Sequence, residues 1–228
     1  MPRPANPTLR DDILRAALHQ VEQKGPAGIT MREVAAELGY SATAIYQHFA
    51  SKEELLLVLK LQAGELLAEE MEVARQEPTL EEQLHGMAHR YLEFGLENRA
   101  YYRLIFQDML PGLQPSPEHL ARLRRAWSIV RETLAAWIEA RGVTGIAPDH
   151  EANVVWAIVH GITSLALSHR LPFSERGELH TLLDLTLNHW ANGLLSGPAP
   201  IFPTREWHDP GNAGGLAAGR SEQRIEPA

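Results

Sequence analysis

The chain has 228 residues, 44% of them apolar, which is enough for one or two domains with a sizeable core. It contains no cysteine, which excludes disulfides, thiolate redox sensing and cysteine-ligated metal sites. Net charge is −8, yet residues 1–60 balance seven Lys/Arg against seven Asp/Glu, so the excess (14 against 22) lies wholly beyond residue 60.

Residues 1–8 form a Pro-rich arm that reads as disordered. A first helix is predicted from Leu9 to Lys24, with Ile13, Leu14, Ala17, Leu18 and Val21 on its core face and Gly25-Pro26 ending it. Met31, Val34, Ala35 and Leu38 then fall at i, i+3, i+4 and i+7, one apolar helical face. Thr30 and Glu33 have capping-box spacing, and Gly39 supplies the left-handed stop. Ser41 caps a further helix of about two turns. On it Ala42, Thr43, Tyr46 and Gln47 share an outward arc of about 140° at about 100° per residue, while Ile45 points inward. A methyl, a hydroxyl, a phenol and an amide on one exposed arc suit thymine methyls, phosphates and base edges. A helix, a Gly-containing turn and a second helix make a helix-turn-helix, whose second helix enters the major groove.

Ser51 and Glu54 repeat the capping-box spacing and open a helix of about 25 residues, some 37 Å long. Thr79 with Glu82 opens another, running to about Glu97, followed by an aromatic stretch from Ala100 to Phe106. After a Pro/Gly break, Ser116 and Pro117 start a helix to Ala140 that carries Leu120, Leu123, Trp127, Val130, Leu134 and Trp137 inward. The last two helices are predicted at Asp149–Arg170 and Ser174–Leu195, split by Pro172. No strand-period segment occurs, so the fold class is all-α with about nine helices. From residue 197 the composition turns to Pro, Gly and Ala, the signature of a disordered tail, in which Ile201, Phe202 and Trp207 are the residues suited to docking. No apolar run is long enough to cross a membrane and the N-terminus lacks an apolar signal segment, so a cytoplasmic protein is expected.

The stretch Gly28-Ile-Thr-Met-Arg-Glu-Val-Ala-Ala-Glu-Leu-Gly39, continued by Ser41-Ala-Thr-Ala-Ile-Tyr-Gln-His-Phe-Ala-Ser-Lys-Glu-Glu-Leu-Leu56, resembles the N-terminal pattern of the tetracycline-repressor (TetR) family. The resemblance runs without a gap from about Ile13 to Leu59. It implies a DNA-binding head over residues 9–55 and a ligand-binding and dimerisation body over 56–196. It also implies phosphate contacts at Thr30, Tyr46, His48 and Lys52, with Arg32 as a further cation in reach. Ser41, Ala42, Thr43, Tyr46 and Gln47 would meet bases or phosphates. Where typical members carry Gly or a polar residue on this helix, Ala42 and Ala44 stand here, shifting base selection toward thymine methyls and shape.

In the body, Val155-Trp-Ala-Ile-Val-His160-Gly161 and Tyr102-Arg-Leu-Ile-Phe106 are similar to the WHG-type C-terminal domain of one TetR subgroup. That similarity implies a small-molecule effector, hydrophobic or acyl-bearing, and a homodimer through the last two helices. Candidate pocket residues are Met87, Arg90, Tyr91, Phe94, Tyr102, Phe106, Met109, Trp127, Trp156 and His160, with Tyr101, Arg103 and Asp108 beside them. Gly161 costs about 1 kcal/mol in a helix interior, so close approach of another helix is expected there, from a partner protomer or from within the chain.

His85 and His89 have the i, i+4 spacing of a two-imidazole metal site, with Glu81, Glu82 and Glu93 near in sequence. The HExxH pattern is absent, and the pair reads as exposed histidines on a polar face; His160 reads as a hydrogen-bonded core or pocket residue. Neither metal nor cofactor is expected. The absence of HExxH, of a GxSxG elbow and of a phosphate-cradling loop argues against a metal-dependent or hydrolytic helical enzyme. The expected function is a ligand-responsive transcription regulator, most simply a repressor on a palindromic operator in double-stranded DNA. The alternative is a dimeric small-molecule binding protein with a silent head.

Overall fold

The computed structural model describes residues 8–107 and 115–196. Nine α-helices and no strand occur among them: α1 Leu9–Gly28, α2 Met31–Glu37, α3 Ala42–Tyr46, α4 Lys52–Ala74, α5 Leu80–Glu97, α6 Arg99–Tyr102, α7 Pro117–Ala140, α8 Pro148–Leu167 and α9 Arg176–Leu195. A π-helical turn, Arg103–Gln107, continues α6. Residues 1–7 of the N-terminal arm, the tail with Ile201, Phe202 and Trp207, and Asp108 and Met109 lie outside the described residues.

Side-chain caps set most helix starts. Thr30 Oγ1 accepts from the Glu33 N–H at 3.2 Å, Ser41 Oγ from the Ala44 N–H at 3.3 Å and Ser51 Oγ from the Glu54 N–H at 3.2 Å. Of the three predicted capping boxes only Thr79–Glu82 closes in both directions, with the Thr79 N–H donating to Glu82 at 3.1 Å. In the other two the glutamate goes elsewhere. Glu33 accepts from the Thr30 hydroxyl at 2.8 Å, and Glu54 from the Ala50 N–H at 2.6 Å. Ser116 closes a reciprocal box as well, with His119 Nδ1 in the usual place of the glutamate. Gly39, at φ 69°, ends α2, and the Tyr40 N–H turns back to the Ala35 carbonyl at 2.9 Å.

α1 runs on to Gly28, four residues past the predicted Lys24, across a break at Gly25 with φ 73°, and two other ends differ from expectation. α8 stops at Leu167, three residues short of the predicted Arg170, because His169 takes φ 53° and the Arg170 N–H closes onto the Leu165 carbonyl. α9 begins at Arg176 instead of Ser174, after the turn that holds Pro172. α3 is also shorter than two turns, at five residues.

The first core joins α1, α2 and α3 around Ile13, Val21, Val34, Ile45 and Phe49. It takes in Leu55, Leu56 and Leu59 from the start of α4, and Ala100 and Leu104 from the α6 region. The second core is built from the rest of α4 (Leu67, Ala68, Met71) with α5, α7, α8 and α9. Each buried leucine in these cores contributes roughly 1.5–3 kcal/mol. A smaller third cluster holds Leu134, Trp137, Ile138 and Ala152. α5 and α8 approach closely at Gly95, where an added Cβ would lie 3.2 Å from the Tyr102 ring and under 3.0 Å from Thr163 Cγ2. Leu120, expected inward, is 38% exposed because α7 turns that face outward in its first turn.

Gly161 is different. An added Cβ there meets nothing within 4 Å, so no crossing among the described residues explains this glycine. Val154, Trp156 and Leu165 on α8 and Leu185 on α9 are exposed.

Candidate nucleic-acid interface and interior cavity

The outer face of α3 is built as its spacing requires. Ile45 is fully buried and pins the helix to the first core, which leaves Tyr46 52% exposed and Thr43 and Gln47 open to solvent. Ala42 and His48 are half-buried, and Ser41 is exposed while its hydroxyl caps the helix. Thr30 and Arg32 are exposed on the start of α2. Lys52 is half-buried, and its ammonium donates to the Ala27 carbonyl at 2.8 Å. That bond ties the start of α4 to the end of α1. Glu33, at the start of α2, is held below the usual carboxylate range first by its bond from Lys24 and then by Thr30.

In the body a cavity of about 480 Å³ lies between α4, α5, α7, α8 and the π-helical turn. Of the residues singled out from sequence, Met87, Tyr91, Phe106, Trp127 and Trp156 line it. Four do not. Arg90 turns away to Glu70 at 2.7 Å, an ion pair on the α4–α5 surface. Phe94 is buried in the second core. Tyr102 and His160 stand behind the cavity wall. Two polar groups that sequence reasoning passed over, Arg124 and Asn153, reach the cavity. Each lies three residues before a lining tryptophan, Trp127 or Trp156, and so shares its helical face; that spacing was the available signal.

Behind the wall, the hydroxyls of Tyr91 and Tyr102 both lie 2.9 Å from His160 Nδ1, and the Tyr102 ring stacks on the imidazole at 5.5 Å between centroids. Burial lowers the His160 pKa and raises those of both tyrosines. At neutral pH, therefore, both phenols stay protonated around the single lone pair of a neutral imidazole nitrogen, with the Tyr102 hydroxyl also within reach of the His160 carbonyl at 3.4 Å. This triad holds α5, α6 and α8 together and presents Tyr91 to the cavity.

His85 and His89 correct the expectation of two exposed histidines on a polar face. His85 is exposed, but the His89 side chain is only 18% exposed, and each Nε2 meets the same oxygen of Asp184 on α9, at 2.8 and 2.7 Å. Burial depresses the His89 pKa, opposed by Asp184 and assisted by the neighbouring His85 and His180. Burial pushes the Asp184 carboxyl up, but the bonds from His89 and His85 outweigh it and hold the group low.

Residues 13–59 match the model of bacterial regulatory proteins of the tetR family, and residues 84–189 match a tetracyclin repressor-like C-terminal domain. The chain belongs to the TetR family. The matched head is the same stretch, Ile13 to Leu59, that carries the sequence resemblance. HTH-type transcriptional regulators of Mycobacterium bovis and Mycobacterium tuberculosis are 25% identical over 122 residues, 52% of this chain and 52% of theirs. The chain thus spans about half the length of the curated relatives it matches. Among solved structures, a protein of unknown function from Rhodococcus sp. RHA1 shares the fold with a TM-score of 0.71 at 22% identity, covering 84% of this chain and 98% of that one. The TetR family regulator PfmR from Thermus thermophilus shares it with a TM-score of 0.63 at 22% identity, over 77% and 97%. In this TetR-family chain no helix among the described residues is long and apolar enough to cross a membrane.

Proposed function

We propose that this chain is a ligand-responsive, DNA-binding transcription regulator that works in the cytoplasm as a homodimer. The head, residues 9–55, reads DNA through Ser41, Ala42, Thr43, Tyr46 and Gln47. Thr30, Arg32, His48 and Lys52 lie toward the phosphates. Two heads engage half-sites in successive major grooves, about 34 Å apart. The body, residues 56–196, is of the WHG type and holds a mainly apolar effector, and effector binding releases the DNA.

One observation carries this reading. α4 belongs to both cores: its first turns hold the head, while Leu67 and Met71 form part of the cavity wall. A ligand that fills the cavity therefore presses on the same helix that positions α3. The apolar lining around two polar groups, Arg124 and Asn153, suits an amphipathic effector with one polar or anionic end. The dimer is supported by the open Gly161 and by the exposed apolar residues on α8 and α9.

The test is selection of bound sequences from a random DNA pool by the purified chain at a stated salt concentration. Recovery of a palindrome whose half-sites are about one turn apart is the expected result. Tyr46→Ala should lose that retention with the fold intact, since Tyr46 is half-exposed and supports no core. Absence of any enriched sequence, with or without added cell extract, would favour a dimeric small-molecule binding protein with a silent head.

A further inference from the structure

α5 and α9 run antiparallel and carry a ladder of titratable groups outside both sites described above. Along α5 stand His85, His89 and Glu93, spaced by four; along α9, in the opposite direction, stand Asp184, His180 and Arg176. His85 and His89 both meet Asp184. His89 Nδ1 lies 2.5 Å from His180 Nδ1, and their rings stack at 4.7 Å between centroids. His180 Nε2 then meets Glu93 at 2.6 Å, and Arg176 closes the ladder on Glu93 and Glu97.

We propose that His85, His89 and Asp184 form a binding site for a divalent first-row transition-metal ion of the zinc class, which clamps α5 to α9. One ligand atom from each of the three lies within 4.8 Å of the others, two of them imidazole nitrogens and one a carboxylate oxygen. Small side-chain rotations would bring them around a single ion at about 2.0–2.2 Å. Imidazole pairs select zinc, nickel or cobalt over magnesium and calcium, which demand oxygen ligands. Three protein ligands leave a fourth position for water, the arrangement of an exchangeable site. His85 is 59% exposed and Asp184 41%, which gives an ion a path from solvent.

The hydrogen bonds around His89 point the same way. His89 Nε2 faces a carboxylate and so does His180 Nε2, so in neutral rings both would carry their proton there. The two Nδ1 atoms that face each other would then both be acceptors, with no donor between them. A metal ion on His89 Nε2 removes this conflict. The His89 proton sits on Nδ1 and donates to His180 Nδ1, and His180 Nε2–H donates to Glu93. The result is a metal–histidine–histidine–carboxylate relay of the kind that orients metal ligands from behind.

The experiment uses the full chain, stripped with chelator, in calorimetric titrations with zinc and magnesium chlorides and in the visible spectrum with cobalt(II). The expected result is one saturable zinc ion per chain, a four-coordinate cobalt spectrum and no magnesium binding. His85→Ala and Asp184→Asn should each weaken zinc by more than about 100-fold, and His180→Ala by about 10- to 100-fold. His150→Ala, an exposed residue at the start of α8, should leave it unchanged. His85 is exposed, so its variant keeps the fold even if Asp184→Asn does not. Absence of saturable zinc binding would overturn the proposal. So would zinc binding that survives both His85→Ala and Asp184→Asn.

Discussion

Gly95→Ala tests the packing that seats α8 against α5. In an open helix this change stabilises by about 1 kcal/mol. Here the new methyl enters a space bounded by two residues that cannot give way. Thr163 is fully buried, and its hydroxyl is tied to the Val159 carbonyl at 2.8 Å. Tyr102 is fully buried, and its hydroxyl is held at His160. Overpacking of this kind costs about 1–3 kcal/mol, and the clash with two fixed groups puts it at the upper end. The net expectation is a loss of about 2 kcal/mol, read as a fall of about 4–8 °C in Tm for a chain of this size. Urea unfolding followed by circular dichroism measures it. Thr163→Ser removes the offending Cγ2 and keeps the hydroxyl bond, so Gly95→Ala/Thr163→Ser should recover most of the loss, with a positive coupling of about 1 kcal/mol or more. Undiminished stability in the single variant, or additivity in the double, would refute the reasoning.

Three further outcomes are expected. Thr79→Ala removes the acceptor of the only fully closed Thr–Glu capping box among the described residues and should cost about 1 kcal/mol in thermal unfolding. Gly161→Ala should leave the unfolding of dilute chain unchanged or raise it by up to about 1 kcal/mol, while weakening self-association in sedimentation; unaltered association would remove Gly161 from the interface. For His160, burial lowers the folded-state pKa below the ordinary 6.5, so the unfolded chain binds the proton more readily. Its contribution is present in full above about pH 6.5 and is lost as pH falls from there through the lowered value. Tm should accordingly drop on acidification more steeply in the native chain than in His160→Gln, and parallel profiles would count against it.

The sequence made visible what is written locally. Thr30, Ser41, Ser51 and Thr79 announce their helices because a cap acts within three residues, and Ile45 betrays the outward arc of α3 by its own inward direction. Pairings across long separations were hidden. His85 and His89 looked like a solvated pair because Asp184 stands 99 residues from His85 in the chain. Arg90 looked like a pocket cation because its partner, Glu70, belongs to the preceding helix. Tyr102 and His160 both read as pocket residues, but only the packing of α6 against α8 decides that they back the cavity wall and do not line it. The early end of α8 had no glycine or proline to mark it; a histidine in the left-handed region did that work.

α4 is an unbroken 23-residue rod, about 34 Å from end to end, gripped by one core at each extremity. A rod held this way converts angle into distance. A tilt of only about 5° about its C-terminal grip displaces the N-terminal end by about 3 Å, close to the 3.4 Å rise of one base pair. In a symmetric pair the two displacements add. In the proposed dimer, crowding of one or two methyl groups in the body would therefore suffice to put two reading heads out of step with the pitch of a double helix, while every contact inside each head stays as it was.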